Sequence, residues 1–194
     1  MQIKYDSESE TGFSYVLLSS AFGTLSVVWC EICGRGRVVR VFLPHGTMPA
    51  ESVVRRAFPG ASAGSSRAIG RLAERMERFL AGEAVEFDLS TIALERCSEF
   101  QAGVLLAEDN IPRGWVSSYG RIARNLGIPG GARAVGGALA RNPFPIVIPC
   151  HRAIRADGRL GGFQGGLEMK RALLELEGVD VSPDGRVLTD CFYY

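Results

Sequence analysis

Apolar and polar positions change their period several times along the chain. Residues 13–19 (FSYVLLS), 24–30 (TLSVVWC) and 37–43 (RVVRVFL) are short apolar-rich runs bounded by turn residues. Gly34-Arg35-Gly36 joins the second run to the third, so the pattern predicts a small antiparallel sheet. Residues 66–81 (SRAIGRLAERMERFLA) place Ile69, Leu72, Met76, Phe79 and Leu80 at helical spacing. A shorter helix is expected over 50–57, and Val85-Glu86-Phe87 reads as one more strand. Residues 1 to about 90 thus form an α+β unit with sheet and helices segregated.

The second half is mainly helical. A helix is expected over 98–109, capped by Ser98, with Phe100, Val104 and Leu105 on its apolar side and Pro112 and Gly114 beyond its end. Ser118 caps YGRIARNLG, and Gly127 ends it. IPGG makes a turn, and ARAVGGALARN follows as a second helix, which is a helix-turn-helix pattern. RADGRLGGF predicts a hairpin turn on Asp157-Gly158. A last helix over 166–177 is expected to bury Leu167, Leu173, Leu174 and Leu176. The expected organisation is an α+β N-terminal domain over 1–92, a mainly α, winged helix-turn-helix-like domain over 93–180, and a tail or small appended hairpin over 181–194.

Composition narrows the class. The chain has 194 residues, 46% of them hydrophobic, enough for a real core. No run approaches the roughly 18–20 apolar residues of a membrane span. The polar, acidic start (MQIKYDSESE) predicts no secretory leader. Cysteines at 30, 33, 97, 150 and 191 are odd in number and scattered, unlike a disulfide framework. A soluble cytoplasmic protein is expected, associated with the nucleoid, or nuclear in a eukaryote. The net charge is +1, unevenly spread. Residues 110–167 carry eight arginines (113, 121, 124, 133, 141, 152, 155, 159) against Asp157, and the flanks are acidic. A basic field of that kind favours an anionic partner such as nucleic acid, or it is a solvated arginine-rich face.

Candidate chemistry centres on NPFPIVIPCHRAIR. A free thiol is only a few per cent thiolate at neutral pH, so a reactive Cys150 needs a base, and His151 is adjacent. Neighbours on an extended backbone point apart. Contact between the two therefore requires a sharp turn, which Pro149 helps fix, or a bridging water. The other reading is an inert buried cysteine beside a surface histidine. Gly136-Gly137 inside a helix cost about 1 kcal/mol each against alanine. They serve either close helix packing or a face bare enough to press on a DNA groove, with Arg133 projecting. Cys30-x-x-Cys33 sits at a strand end, where residues three apart face opposite sides. It reads as structural, or as a zinc pair with only His45 downstream.

Together, VSSYGRIARNLG, ARAVGGALARNPFPIVIPCHRAIRADGRLGGF and the LELEG that closes the last helix resemble the O6-alkylguanine-DNA alkyltransferases (methylated-DNA–protein-cysteine methyltransferases) over about residues 98–178. The resemblance implies stoichiometric DNA repair by a monomer that needs no cofactor or metal. Duplex DNA is bound through the minor groove, and the damaged base is flipped into a pocket. An alkyl group then passes from O6 of guanine, and also from O4-methylthymine, to the cysteine, once per molecule. Carried over residue by residue, Cys150 is the acceptor and is expected as a low-pKa thiolate. His151 is the base acting through a water, and Glu177 orients it. Asn142 is the hinge that holds the turn, and Tyr119 supports extrusion and donates a proton to the base. Arg133 fills the space the base leaves. Gln101, Ala132, Gly136 and Arg152 join Tyr119 and Arg133 in contacting DNA. Pro145, Leu160, Phe163 and Gln164 form the pocket; Phe163 stands where many relatives have tyrosine. Three other readings compete: a non-catalytic sensor of alkylated DNA, a helix-turn-helix regulator without chemistry, and a thiol hydrolase that turns over.

Overall fold

In the computed structural model, residues 12–44, 46 and 48–194 are described; the first eleven residues and His45, on which two of the readings above fall, lie outside them. Strands β1 (Ser14–Ser20), β2 (Gly23–Ile32) and β3 (Arg35–Phe42) form an antiparallel meander. The two-residue strand β4 (Ser62–Ala63) pairs parallel to β1, giving the order β3-β2-β1-β4. The β2–β3 turn places Cys33 at φ 50° and Gly34 at φ 72°, as a tight hairpin of two left-handed residues requires. Residues 25–30 of β2 are buried without alternation because both faces of the sheet are covered. Helix α1 (Ala50–Ala57) closes one side around Tyr15, Val28, Cys30, Val39, Val54 and Phe58. Helix α2 (Arg67–Leu80) and the C-terminal half cover the other.

Helix α2 follows its pattern. Ser66 caps it by accepting from the Ile69 N–H, and Ile69, Leu72, Met76, Phe79 and Leu80 are all buried. Each such side chain stabilises the fold by roughly 1.5–3 kcal/mol on full burial. Residues 85–87, expected as a strand, form none. Phe87 packs on Phe79 instead, ring centroids 5.7 Å apart.

In the second half, α3 (Glu99–Asp109) is capped by Ser98, and α4 (Tyr119–Asn125) by Ser118. Helix α4 ends in a Schellman motif: Gly127 at φ 71° donates to the Arg124 carbonyl, and Ile128 to that of Ala123. Helix α5 (Ala132–Ala140) follows. Strands β5 (Ser117–Ser118) and β6 (Ala153–Ile154) pair in parallel. Helix α6 (Gly166–Leu176) completes the bundle. Two apolar faces differ from expectation. Phe100 on α3 is exposed, and the buried side is Val104, Leu105, Ala107 and Glu108. On α6, Leu167 and Leu176 are exposed, and Met169 and Lys170 are buried beside Leu173 and Leu174.

The C-terminal segment is tied in at several points. Strands β7 (Asp180–Val181) and β8 (Val187–Leu188) form a hairpin, and Arg186 bonds the Asp157 carbonyl in the turn opposite. Val116 donates to the Cys191 carbonyl and accepts from Tyr193 N–H, while the Tyr194 hydroxyl donates to Ala107 of α3.

Candidate active site

The approach to Cys150 is a short stretch of crowded backbone. The fully buried Asn142 accepts from Phe144 N–H at 2.9 Å and donates to the Ile148 carbonyl at 3.3 Å, bracing the loop across its base. Within it Ile146 takes φ 77°, a costly conformation for a β-branched residue. The Ile148 N–H to Phe144 carbonyl bond, 2.8 Å, closes the loop around it. Pro149, at φ −79° and ψ 56°, makes an inverse γ-turn in which Cys150 N–H meets the Ile148 carbonyl at 2.8 Å. Cys150–Arg152 then form one 3-10 turn. The N-terminal sheet anchors the loop through Val41 N–H on the Pro143 carbonyl, 2.8 Å.

The turn places two side chains, three nitrogens in all, around Glu177. His151 Nε2 lies 3.0 Å from Glu177 Oε1; Arg152 Nη2 lies 2.7 Å from the same oxygen, and Arg152 Nε 2.9 Å from Oε2. Burial alone would raise the Glu177 carboxyl, but His151 and then Arg152 outweigh it and hold it at about 2. The carboxylate only accepts, so Nε2 of His151 carries the proton and Nδ1 presents the lone pair. Burial lowers the His151 pKa, keeping the ring neutral at physiological pH. Nδ1 makes no hydrogen bond among the described residues, nor does any direct bond join His151 to Cys150.

The sulfur departs from expectation. Burial pushes the Cys150 thiol up to about 12, and the Asn142 hydrogen bond and the Lys170 charge offset this only in part. The resting residue is therefore a protonated thiol rather than a low-pKa thiolate. It is 5% exposed, yet it lines a cavity of about 470 Å³ with Tyr119, Gly136, Leu139, Ala140, Gly162, Phe163 and Gln164. A planar base fits within the usual volume range of small-molecule sites. A larger hollow of about 620 Å³ lies near Pro149, between Phe79, Asp109 and Arg113. Cys150 does not line it, so it has no nucleophile to offer.

Two of the four expected pocket residues, Phe163 and Gln164, meet there. Gln164 also donates to the Asn142 carbonyl at 2.7 Å, joining the far loop to the hinge. Gly161, at φ 71°, lies so close to Tyr119 that a Cβ would sit 2.7 Å from its hydroxyl oxygen. Tyr119 is pushed up to about 12 by burial and so keeps its proton. Two expected pocket residues lie elsewhere. Pro145 is buried in the loop, bridged to Ile148, and Leu160 packs among Val116, Ile154 and Leu174. Their apolar character suits core packing as well as a pocket wall, so sequence could not separate the two.

On the outer side of the helix-turn-helix, Arg133 is exposed on the first turn of α5, and Ala132 is half-buried beside it. A Cβ on Gly136 or Gly137 would come no closer than 3.9 and 3.6 Å to its neighbours, so internal packing does not demand these glycines. Arg152 is the clear correction. It is buried, its charge is paired with Glu177, and its Nη1 donates to the Ile111 carbonyl at 2.6 Å, so it faces the interior rather than a phosphate. Gln101 gives its amide to the carbonyls of Ala138 and Arg141, capping the end of α5.

Two charged residues near the site went unnoticed in the sequence, Glu108 and Lys170, both fully buried. Their signal was a charge on an apolar helical stripe: Glu108 follows Val104 and Leu105, and Lys170 precedes Leu173 and Leu174. Cys30 is buried in the sheet and Cys33 is exposed, so the pair does not converge. No group of metal-binding side chains occurs among the described residues.

Residues 99–179 match the family model described as the 6-O-methylguanine DNA methyltransferase DNA-binding domain. The chain is 48% identical over 114 residues to a methylated-DNA–protein-cysteine methyltransferase of Methanothermobacter thermautotrophicus, covering 59% of this chain and 64% of that one. It is 45% identical over 119 residues to the protein of that name from Mycobacterium bovis, covering 61% and 67%. It thus spans about two thirds of the length of these relatives. The crystal structure of Mycobacterium tuberculosis O6-methylguanine methyltransferase superimposes with a TM-score of 0.69 at 34% identity, covering 85% of this chain and 92% of that one. A structure of the Mycobacterium tuberculosis protein in complex with DNA gives 0.68, covering 86% and 92%.

Proposed function

This chain belongs to the O6-alkylguanine-DNA alkyltransferase family, and on that premise we propose that it repairs duplex DNA by taking an alkyl group from O6 of guanine, and from O4 of thymine, onto Cys150. The observation that carries the proposal is the juxtaposition of a nucleophile, a base and an orienting carboxylate at the mouth of a cavity. Cys150 lines that cavity, and the neighbouring His151 is held by Glu177 at 3.0 Å.

The steps follow from the groups in place. The minor groove of the duplex meets α5, and the damaged base turns out into the cavity while Arg133 fills its place in the stack. His151 Nδ1 takes the Cys150 proton through a water, and the Glu177 carboxylate stabilises the imidazolium that forms. Sulfur attacks the alkyl carbon; the S–C bond forms as the C–O6 bond breaks. The electron pair moves into the guanine ring, and Tyr119, still protonated, supplies the proton that restores a neutral base. The product is a thioether. A thioether is stable to hydrolysis, so each molecule reacts once. Because the resting sulfur is a protonated thiol, the nucleophile is created only in concert with His151. Work on DNA would put it with the nucleoid in the cytoplasm, or in a nucleus. No helix among the described residues is long and apolar enough to cross a membrane.

Intact-mass measurement after incubation with an O6-methylguanine oligonucleotide tests the reading. One methyl group is expected per molecule, mapped to Cys150, and none in Cys150→Ser. Binding without a mass gain would instead indicate a sensor or regulator, and turnover without an adduct a hydrolase.

A further inference from the structure

Beneath the Cys150 turn lie two ionisable side chains that the steps above do not use. Helices α3 and α6 both pack against the turn. From α3, Glu108 enters fully buried, and neither of its oxygens makes a hydrogen bond of ordinary geometry among the described residues. From α6, Lys170 enters fully buried and donates to two carbonyls, Ala153 at 2.6 Å and Gly162 at 3.4 Å. Ala153 directly follows the Cys-His-Arg turn, and Gly162 lines the cavity beside Phe163. One ammonium therefore joins the nucleophile's turn to the opposite wall of the pocket.

We propose that Lys170 and Glu108 are positioning residues for the alkyl transfer: Lys170 clamps the Cys150 turn to the pocket loop and supports negative charge on the sulfur, and Glu108 opposes that support when ionised. This rests on the proposed alkyl transfer and adds its electrostatic control. The groups that face the pair are Cys150, His151 and Arg152 from the turn, Tyr119 from the start of α4, and Tyr194 from the C-terminal segment. Burial raises Glu108 to about 8, with Lys170 and Arg152 pulling it back. Burial lowers Lys170 to about 8, with Cys150 and Glu108 pulling it up. At neutral pH the pair thus presents an ammonium and an uncharged carboxyl, a net positive field behind the sulfur. Above about 8 the first proton leaves the pair and that field vanishes; further loss makes it negative. The two titrate as one unit with Cys150.

The test reads the thiol directly. Alkylation of Cys150 by iodoacetamide is followed by peptide mass across a pH series, in full-length wild type, Glu108→Gln and Lys170→Met, with exposed Cys33 as internal control. Glu108→Gln is expected to move the Cys150 midpoint towards acid by about one pH unit, and Lys170→Met to slow Cys150 labelling below about pH 8, where the ammonium is present. Cys33 labelling should be the same in all three. A Glu108→Gln protein, folded by its melting curve, whose Cys150 profile superimposes on wild type would overturn the proposal. That variant is isosteric and decides the matter even if Lys170→Met does not fold. Iodoacetamide needs neither DNA nor a flipped base, so a failure of methyl transfer from the oligonucleotide sinks the proposed function without touching this result.

Discussion

Glu177 accepts from three nitrogens on two side chains while almost wholly buried, so it serves both the fold and the reaction. Removing its charge leaves the Arg152 guanidinium buried without a counter-ion, a loss of about 3–5 kcal/mol by analogy with other broken buried pairs. Glu177→Gln should therefore lower the urea midpoint and slow single-turnover transfer from O6-benzylguanine by about 100-fold or more. An unchanged rate would remove Glu177 from the relay. The pH dependence has a definite sign. The folded carboxyl sits at about 2, below the roughly 4.3 of an unfolded glutamate. Its stabilisation is complete above about pH 4.3 and is lost as pH falls towards 2. Glu177→Gln should show a shallower acid limb in stability measured against pH.

At the scale of elements, the helix-turn-helix is built from local signals: Ser118 as cap, Gly127 as stop, and a six-residue link to Ala132. Its second helix gives up intrinsic stability at Gly136 and Gly137 with no internal need for bare backbone. A face kept bald for an external surface explains that, and it separates stability from binding. Gly136→Ala should gain about 1 kcal/mol of helix propensity, roughly 2–4 °C in melting temperature, while weakening affinity for duplex DNA. Fluorescence anisotropy beside a thermal melt checks both signs. A variant that gains stability and keeps its affinity would return the glycines to a role inside the protein.

For the whole molecule, the arginine excess of residues 110–167 divides by tertiary context. Arg113 bonds the carbonyls of Gly82 and Leu176, Arg121 that of Tyr194, and Arg152 is enclosed with Glu177. Arg124, Arg133 and Arg141 stay exposed on or beside α4 and α5. Arg155 and Arg159 are exposed as well but pair with Asp157 and Asp184, so the unpaired charge is smaller than the sequence count and sits mainly on α4 and α5. Binding to duplex should still weaken steeply with salt. Arg133→Ala should slow repair of O6-methylguanine in duplex DNA more than reaction with free O6-benzylguanine, since only the duplex has a stack to fill. Equal losses on the two substrates would show that Arg133 does not act through the stack.

Periodicity and caps are local, and so the meander, α1, α2 and the paired helices α4 and α5 were legible in the chain within a residue or two, as was the motif around Cys150. What the chain could not reveal was the direction in which ambiguous side chains point. Phe100 and Leu167 face out, and Arg152, Glu108 and Lys170 face in, because burial depends on which surfaces meet across distant segments. The same holds for the proton on Cys150. Its neighbours in sequence suggest an activated thiolate, but its tertiary enclosure raises the cost of charge, and Asn142, Glu108 and Lys170, brought beside it by the fold, modulate that cost.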